Sequence, residues 1–102
     1  MAPGPSPEMD PQEFTRNLIV LYKEKAQYTS AARANNIQGN VTGRVLFKAD
    51  GTIGEIIMDT TLDRGLAKNS AKAASRMKFL PAEIDGNPVD QSRPITFTFN
   101  IY

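Results

Sequence analysis

The side chains best suited to chemistry are two pairs of carboxylates, Glu83 with Asp85 and Asp59 with Asp63. Paired carboxylates can act as general acid and general base when one holds a proton and the other accepts one. Both pairs lie beside predicted turns, where Asp and Glu usually stay solvated or bond to nearby backbone N–H groups. We therefore interpret them as turn and cap residues and predict no catalytic residue.

Composition excludes most other active sites. The 102 residues include no histidine and no cysteine. Without them there is no Ser-His or Cys-His nucleophile pair, and the usual nitrogen and sulfur ligands of zinc are missing. The segments at Asp50 and Asp85 lack the alternating oxygen ligands of a calcium loop, and no Gly-rich phosphate loop is present. We predict no metal, no cofactor and a binding module rather than an enzyme.

The charge balance also restricts the partners. Lys and Arg number 12 and Asp and Glu number 11, so the net charge is +1. Nucleic-acid binding requires a clustered basic excess, and we predict no nucleic-acid partner. The near-zero net charge conceals one cationic stripe. It consists of Arg64, Lys68, Lys72 and Arg76, which recur every fourth residue. The stripe is either a solvated helix face or a contact for an anionic surface.

The elements that would position these residues begin after a Pro-rich segment. Four of the seven prolines lie within the first eleven residues. Such a segment favours extended polyproline II, so we predict a linker remnant over residues 1–16 and one domain over 17–102. The longest apolar run, 18–22, is far shorter than the roughly 20 residues of a membrane span. No secretion signal is recognisable, so we expect any targeting segment to lie upstream.

Two helices are predicted. Residues 28–36 indicate a short helix with Thr29 or Ser30 as N-cap and an Asn pair at its end. Residues 64–77 predict a long helix, because its apolar and small residues fall on one stripe. That stripe contains Leu66, Ser70, Ala73, Ala74 and Met77. Residues 14–22 are compatible with either a short strand or a helical turn.

Three strands complete the predicted domain. Residues 41–48 alternate apolar and polar side chains, and Asp50-Gly51 predicts a type I′ hairpin turn. The returning strand, 52–58, keeps one apolar face only if a β-bulge lies near Gly54. Residues 92–101 alternate most regularly. We predict an α+β fold of two layers, in which a three-stranded antiparallel sheet is packed by one long and one short helix.

The last strand is also a candidate binding site. Pro94 cannot donate a ladder hydrogen bond, which favours an edge position or a strand start. An open edge can pair with an extended peptide through main-chain hydrogen bonds. The alternative is an edge blocked by Arg93, Pro94 and the chain's own tail. The pattern alone leaves both open.

Several short motifs follow one another in a distinctive order. They are Gln27-Tyr28 leading into Ala31-Ala32-Arg33, Ile37-Gln38-Gly39-Asn40-Val41, Asp50-Gly51-Thr52-Ile53, Leu66 with the Ala-rich helix, Met77-Lys78-Phe79-Leu80-Pro81-Ala82, Asp85-Gly86-Asn87-Pro88-Val89 and Thr96-Phe97-Thr98-Phe99. Each motif is weak alone, but together they resemble the C-terminal domain of the TonB family over residues 17–102.

The resemblance implies a periplasmic domain of an energy transducer, tethered to the inner membrane through an upstream segment that works with ExbB and ExbD. Such a domain captures the TonB box, a short extended segment of an outer-membrane transporter, by strand addition to its last strand. It thereby couples the proton gradient to uptake. The implied peptide-binding residues are Arg93, Pro94, Ile95, Thr96, Phe97, Thr98, Phe99, Asn100 and Ile101, together with Lys25, Ala26, Gln27 and Tyr28.

Three alternatives remain at this point. The domain could be a TonB-like interaction or sensor appendage of another membrane protein. It could bind peptidoglycan through the cationic stripe. An open edge strand could also pair with a second copy and form a homodimer.

Overall fold

The computed structural model describes residues 14–101, so most of the predicted linker lies outside the described residues. Nine elements follow in order. They are β1 (Ile19–Tyr22), α1 (Ser30–Ala34), β2 (Gly39–Phe47), β3 (Ile53–Met58), α2 (Arg64–Ser75), β4 (Lys78–Leu80), β5 (Ala82–Ile84), β6 (Asn87–Val89) and β7 (Gln91–Phe99). Neither helix combines the length and the apolar character needed to cross a membrane in this part of the chain.

The central feature is a three-stranded antiparallel sheet in the order β3-β2-β7. The predicted α+β fold, with one long and one short helix, is therefore confirmed. Two small antiparallel pairs, β1 with β4 and β5 with β6, were not predicted. Strands of three or four residues carry too little pattern to be recognised in a sequence.

The core lies between this sheet and α2. Leu66, Ser70, Ala73, Ala74 and Met77 are all buried, as the helical stripe predicts. They face the inward residues of the sheet, including Val41, Val45, Phe47, Phe97 and Phe99. Phe47 and Phe79 meet edge to face with ring centroids 4.9 Å apart, which connects the sheet to β4.

The predicted β-bulge in β3 is confirmed. Val45 pairs with Ile56 and Phe47 pairs with Ile53, so two steps on β2 oppose three on β3. The additional residue returns Ile53 and Ile56 to the same face of the sheet. The apolar pattern of β3 therefore requires the irregularity.

The two Asp-Gly turns differ, and the prediction for the first one was wrong. At Asp50-Gly51 only the glycine has a positive φ, of 88°, whereas a type I′ turn needs two such residues. The loop is longer there: Lys48 N–H donates to Thr52 O at 3.0 Å, which leaves three residues in the turn. A loop of this length typically ends with glycine in the left-handed region.

The second Asp-Gly pair, Asp85-Gly86, meets the requirement for a type I′ turn. Asp85 and Gly86 both have positive φ, of 52° and 81°. They join Ile84 to Asn87 across the two-residue hairpin of β5 and β6. A dipeptide motif thus predicts a turn, but the pairing of the flanking strands selects its type.

The N-terminal run forms strand rather than helix. β1 pairs with β4 and is exposed along its whole length. Upstream of it, Phe14 is buried and Thr15 N–H donates to Glu83 O at 2.8 Å. The chain therefore already contacts the domain at residue 14.

Candidate functional site

The outer edge of β7 has no strand partner among residues 14–101. Thr42 faces β3, because its carbonyl accepts from Asp59 N–H at 2.8 Å. Thr96 lies opposite Thr42 on β7, so its own backbone groups point away from β2. Strand residues alternate in this direction, so Pro94 and Thr98 also point outward. Pro94 has no N–H, and the outward donors of β7 that line the groove described below are those of Thr96 and Thr98.

A groove of about 620 Å³ runs along this open edge. One wall is formed by β7 and by Asn100, which follows it. The other is the irregular segment between β1 and α1. The lining residues are Lys23, Glu24, Lys25, Ala26, Gln27, Tyr28 and Arg33 on one side and Thr96, Phe97, Thr98, Phe99 and Asn100 on the other. Both peptide-binding segments implied by the sequence resemblance thus border one groove.

The wall opposite β7 is attached to α2 at two points. Glu24 forms an ion pair with Arg76, with 3.1 Å between carboxylate and guanidinium. Asn69 Nδ2 donates to Gln27 O at 2.7 Å. The two contacts are about two helical turns apart, and they keep a segment without regular structure at a defined distance from β7.

Aromatic packing closes one end of the groove. The Tyr28 ring meets Phe99 edge to face with centroids 5.3 Å apart, and its hydroxyl donates to Ile37 O at 2.9 Å. The Arg33 guanidinium stacks over the same ring at 4.9 Å. The α1 helix that carries Arg33 is positioned by Thr29, whose hydroxyl accepts from Ala32 N–H at 3.0 Å.

One side chain crosses the groove. Lys23 Nζ donates to the outward-facing Thr96 carbonyl at 2.6 Å and lies 4.6 Å from the centroid of the Phe97 ring. The two residues are separated by 73 positions in the chain. No sequence pattern singled out Lys23, because it is simply the first polar residue after an apolar run.

Two further lining residues were missed from the sequence. Glu24 and Arg33, like Lys23, line the groove without belonging to the predicted set. In contrast, four residues of that set lie outside the groove lining: Arg93, Pro94, Ile95 and Ile101. Arg93 faces Val45 across the ladder, toward the core side, and is half-buried. Ile95 is also half-buried, and Ile101 N–H donates to Gln38 Oε1 at 3.0 Å.

The carboxylate pairs have structural contacts. Asp63 caps α2 by accepting from Leu66 N–H at 2.9 Å, and Glu83 forms an ion pair with Arg16 at 3.3 Å. Asp59 accepts from the Thr61 hydroxyl and N–H, and these hydrogen bonds lower the pKa of Asp59 below its usual value. Among residues 14–101, no cluster of three acidic side chains forms a metal site.

Asp50 has an equivalent turn contact. The Thr52 hydroxyl and N–H donate to its carboxylate at 2.6 and 3.0 Å. These two hydrogen bonds, the hydroxyl first, lower the pKa of Asp50. Both shifted carboxylates thus belong to turns beside β3, away from the groove.

The cationic stripe lies on the exposed side of α2, as its period predicts. All four residues are exposed. Arg76 is engaged with Glu24 and therefore supports the groove wall. The other three residues, Arg64, Lys68 and Lys72, do not line the groove.

Comparison with known proteins is consistent with this arrangement. The family model described as Gram-negative bacterial TonB protein C-terminal matches residues 24–101, a segment that begins after β1. A comparison with curated protein sequences gave no significant match. The solution structure of the Pseudomonas aeruginosa TonB C-terminal domain superposes with a TM-score of 0.61 and 23% identity, over 83% of this chain and 87% of that one.

The structural match shows the same fold, and the family match includes both walls of the groove except Lys23. The chain belongs to the family of C-terminal domains of Gram-negative bacterial TonB proteins.

Proposed function

We propose that this domain binds an extended peptide segment, the TonB box of an outer-membrane transporter, by strand addition to the open edge of β7. The observation that supports this most directly is the outward orientation of Thr96 and Thr98 beside a groove. Main-chain pairing supplies affinity in such complexes, and alternate side-chain contacts supply selectivity. This mode requires no reactive side chain, which agrees with the composition.

The groove has more basic than acidic lining residues, which favours peptide segments that contain carboxylates. Of its charged lining residues in the described chain, Lys23, Lys25 and Arg33 are basic and Glu24 is acidic. Glu24 is already paired with Arg76. An extended segment with carboxylates near the Lys25 and Arg33 side chains would therefore be attracted into the groove.

Membership of the TonB C-terminal family supports a proposal for the cellular setting. The domain would lie in the periplasm, tethered to the inner membrane by an upstream segment and driven by ExbB and ExbD. Force transmission from the proton gradient to uptake would require that tether as well as this domain. Binding at β7 would be the final step of that transmission.

The test is an NMR titration of the full 102-residue chain. The probe is a synthetic TonB-box peptide from a transporter of the bacterium that carries this chain. We expect the Thr96 and Thr98 amide signals to shift and their hydrogen exchange to slow, because these N–H groups would become bonded. Amides of Arg64, Lys68 and Lys72 should change little.

A matched control peptide tests the main-chain mode. It has the same side chains but N-methyl groups on alternate residues, so it cannot donate hydrogen bonds along one edge. We expect it to bind far more weakly. Equal binding would rule out strand addition, and shifts confined to α2 would favour contact of the cationic stripe with an anionic surface such as peptidoglycan.

Edge pairing between two copies is a competing use of the same strand. Sedimentation velocity over a range of concentrations would reveal such a homodimer. If the peptide occupies β7, its addition should convert any dimer to monomer. Dimerisation that the peptide does not affect would place the self-contact elsewhere.

A further inference from the structure

The outward-facing Thr96 carbonyl of β7 already has a side-chain partner in the groove. Lys23 Nζ donates to it at 2.6 Å. A carbonyl in a strand has its best acceptor direction in the plane of the sheet, which is where an added strand would place its N–H. The ammonium and an incoming N–H therefore compete for the same acceptor.

The surroundings of Lys23 make this contact replaceable. Its side chain is exposed, so the ammonium can exchange the carbonyl for water at low cost. The remainder of the wall is fixed independently, by Glu24 to Arg76 and by Gln27 to Asn69. Movement of the Lys23 side chain would thus open the Thr96 carbonyl while the groove keeps its width.

The second contact of the ammonium favours the closed position. Nζ lies 4.6 Å from the centroid of the Phe97 ring, within the range of a cation–π interaction. The ring belongs to the core and cannot follow the lysine. The ammonium therefore has two fixed partners on β7, one acceptor and one aromatic ring, and both are lost together when the side chain leaves.

The geometry points to Lys23 as a displaceable clasp that covers the binding edge of β7 in the peptide-free domain. This inference rests on the proposed function, since the clasp regulates access to the same edge. The clasp protects an otherwise open strand edge from unselective pairing, in the way that lysines commonly protect edge strands. It also lowers the affinity for any segment whose N–H cannot replace the ammonium at Thr96.

The experiment compares peptide affinity among the wild type, Lys23→Met, Lys23→Arg and Lys68→Met, each as the full chain. Methionine retains the length of the side chain and removes the ammonium. Lys68→Met has the same change of charge on an exposed position outside the groove. The probe is the TonB-box peptide, measured by titration calorimetry, and thermal unfolding confirms that each variant is folded.

We expect Lys23→Met to bind roughly threefold to tenfold more tightly, a factor that corresponds to one typical net hydrogen bond. Lys23→Arg should remain close to the wild type, because it keeps a charged donor, and Lys68→Met should match the wild type. Carbonyl ¹³C shifts supply a second readout. In the peptide-free state the Thr96 signal should move in Lys23→Met and stay in place in Lys68→Met.

The outcomes separate the clasp from the proposed function. If the wild type binds and Lys23→Met binds equally or more weakly, the clasp is wrong and strand addition stands. If none of the four proteins shows peptide-induced shifts at Thr96 and Thr98, strand addition itself is wrong, and the clasp is overturned with it. An unchanged Thr96 carbonyl signal in peptide-free Lys23→Met would also overturn the clasp.

Discussion

The two outer strands of the central sheet, β3 and β7, both lack a second strand partner within residues 14–101, yet they are built differently. β7 pairs with β2 over nine consecutive residues without a shift of register. β3 has six residues and is interrupted by a bulge between its pairings with Val45 and Phe47. Its ends are bounded by the Asp50 and Asp59 turns.

This difference bears on strand addition. An added strand needs a regular series of outward N–H and C=O groups, and a bulge disrupts that series and increases the local twist. β7 keeps an unbroken register, its outward N–H groups at Thr96 and Thr98 follow the break at Pro94, and a groove lies beside them. One additional residue in β3 is thus enough to make two edges of the same sheet unequal as binding surfaces.

The largest effect, on the free energy of unfolding, should come from the side chains that attach the two edge strands to the core. Phe97 is 4% exposed, whereas Ile56 is only partly buried. We expect Phe97→Ala to lower the free energy of unfolding by about 3–5 kcal/mol, and Ile56→Ala by about 2 kcal/mol or less. Urea unfolding monitored by circular dichroism measures both. Equal costs would show that the edges are anchored alike.

The next prediction concerns the outward N–H of Thr98. Thr98→Pro and Thr98→Ala both remove the hydroxyl contact with Asn40, and only proline also removes the N–H. We expect Thr98→Pro to weaken binding of the TonB-box peptide about tenfold relative to Thr98→Ala, since one main-chain hydrogen bond is lost. Calorimetric titration measures the ratio. A ratio near one would mean that Thr98 N–H does not pair with the peptide.

A substitution at the N-cap of α2 should lower the stability of the domain without changing its affinity for the peptide. Asp63 caps this helix, and Asp63→Ala is expected to cost about 1 kcal/mol of unfolding free energy. The cap lies at the opposite end of α2 from Arg76, so peptide affinity should stay within error of the wild type. A large loss of affinity would indicate that the whole helix, rather than its Asn69 and Arg76 contacts, positions the groove wall.

The smallest effect is a pH dependence at the turns beside β3. The pKa values of Asp50 and Asp59 are lowered from 3.8 in the folded chain. A lowered folded pKa stabilises the fold above the unfolded value and loses this contribution as pH falls through the folded pKa. The thermal midpoint of the wild type should therefore exceed that of Asp50→Asn/Asp59→Asn at neutral pH.

The control for this prediction is to measure the thermal midpoints of the wild type and of Asp50→Asn/Asp59→Asn over a range of pH values. The difference between the two midpoints should narrow as pH falls below 3.8 and should be constant between pH 5 and 7 on the basis of these lowered pKa values. A difference that does not change down to pH 2 would show that charge on these carboxylates contributes nothing.

Much of the fold could be predicted because its signals are local. The alternation in β7, the helical stripe of α2 and the additional residue at Gly54 depend on residues close in sequence. The strand pairs β1–β4 and β5–β6 could not be predicted, because short strands exist only through partners elsewhere in the chain. The turn at Asp50-Gly51 was mistaken for the same reason, since loop length depends on which residues pair.

The candidate site was predictable in part. The two segments that form the groove walls followed from a family resemblance, and the outward direction of Thr96 follows only from the register with Thr42. Lys23 and Arg33 were missed because their contacts with Thr96 and Tyr28 depend on how the chain enters α1.

The sequence by itself determined the absence of histidine and cysteine chemistry and the apolar faces of the main elements, whereas Pro94 favoured either an edge position or a strand start for β7. Periodicity and side-chain chemistry are properties of neighbouring residues, so they can be read without a fold. Tertiary structure alone decided which backbone groups of β7 face outward and which side chain covers them. The direction in which the backbone groups of a strand face depends on its pairing with another strand. That pairing, and a contact between residues 73 positions apart, arise only after distant segments have packed together.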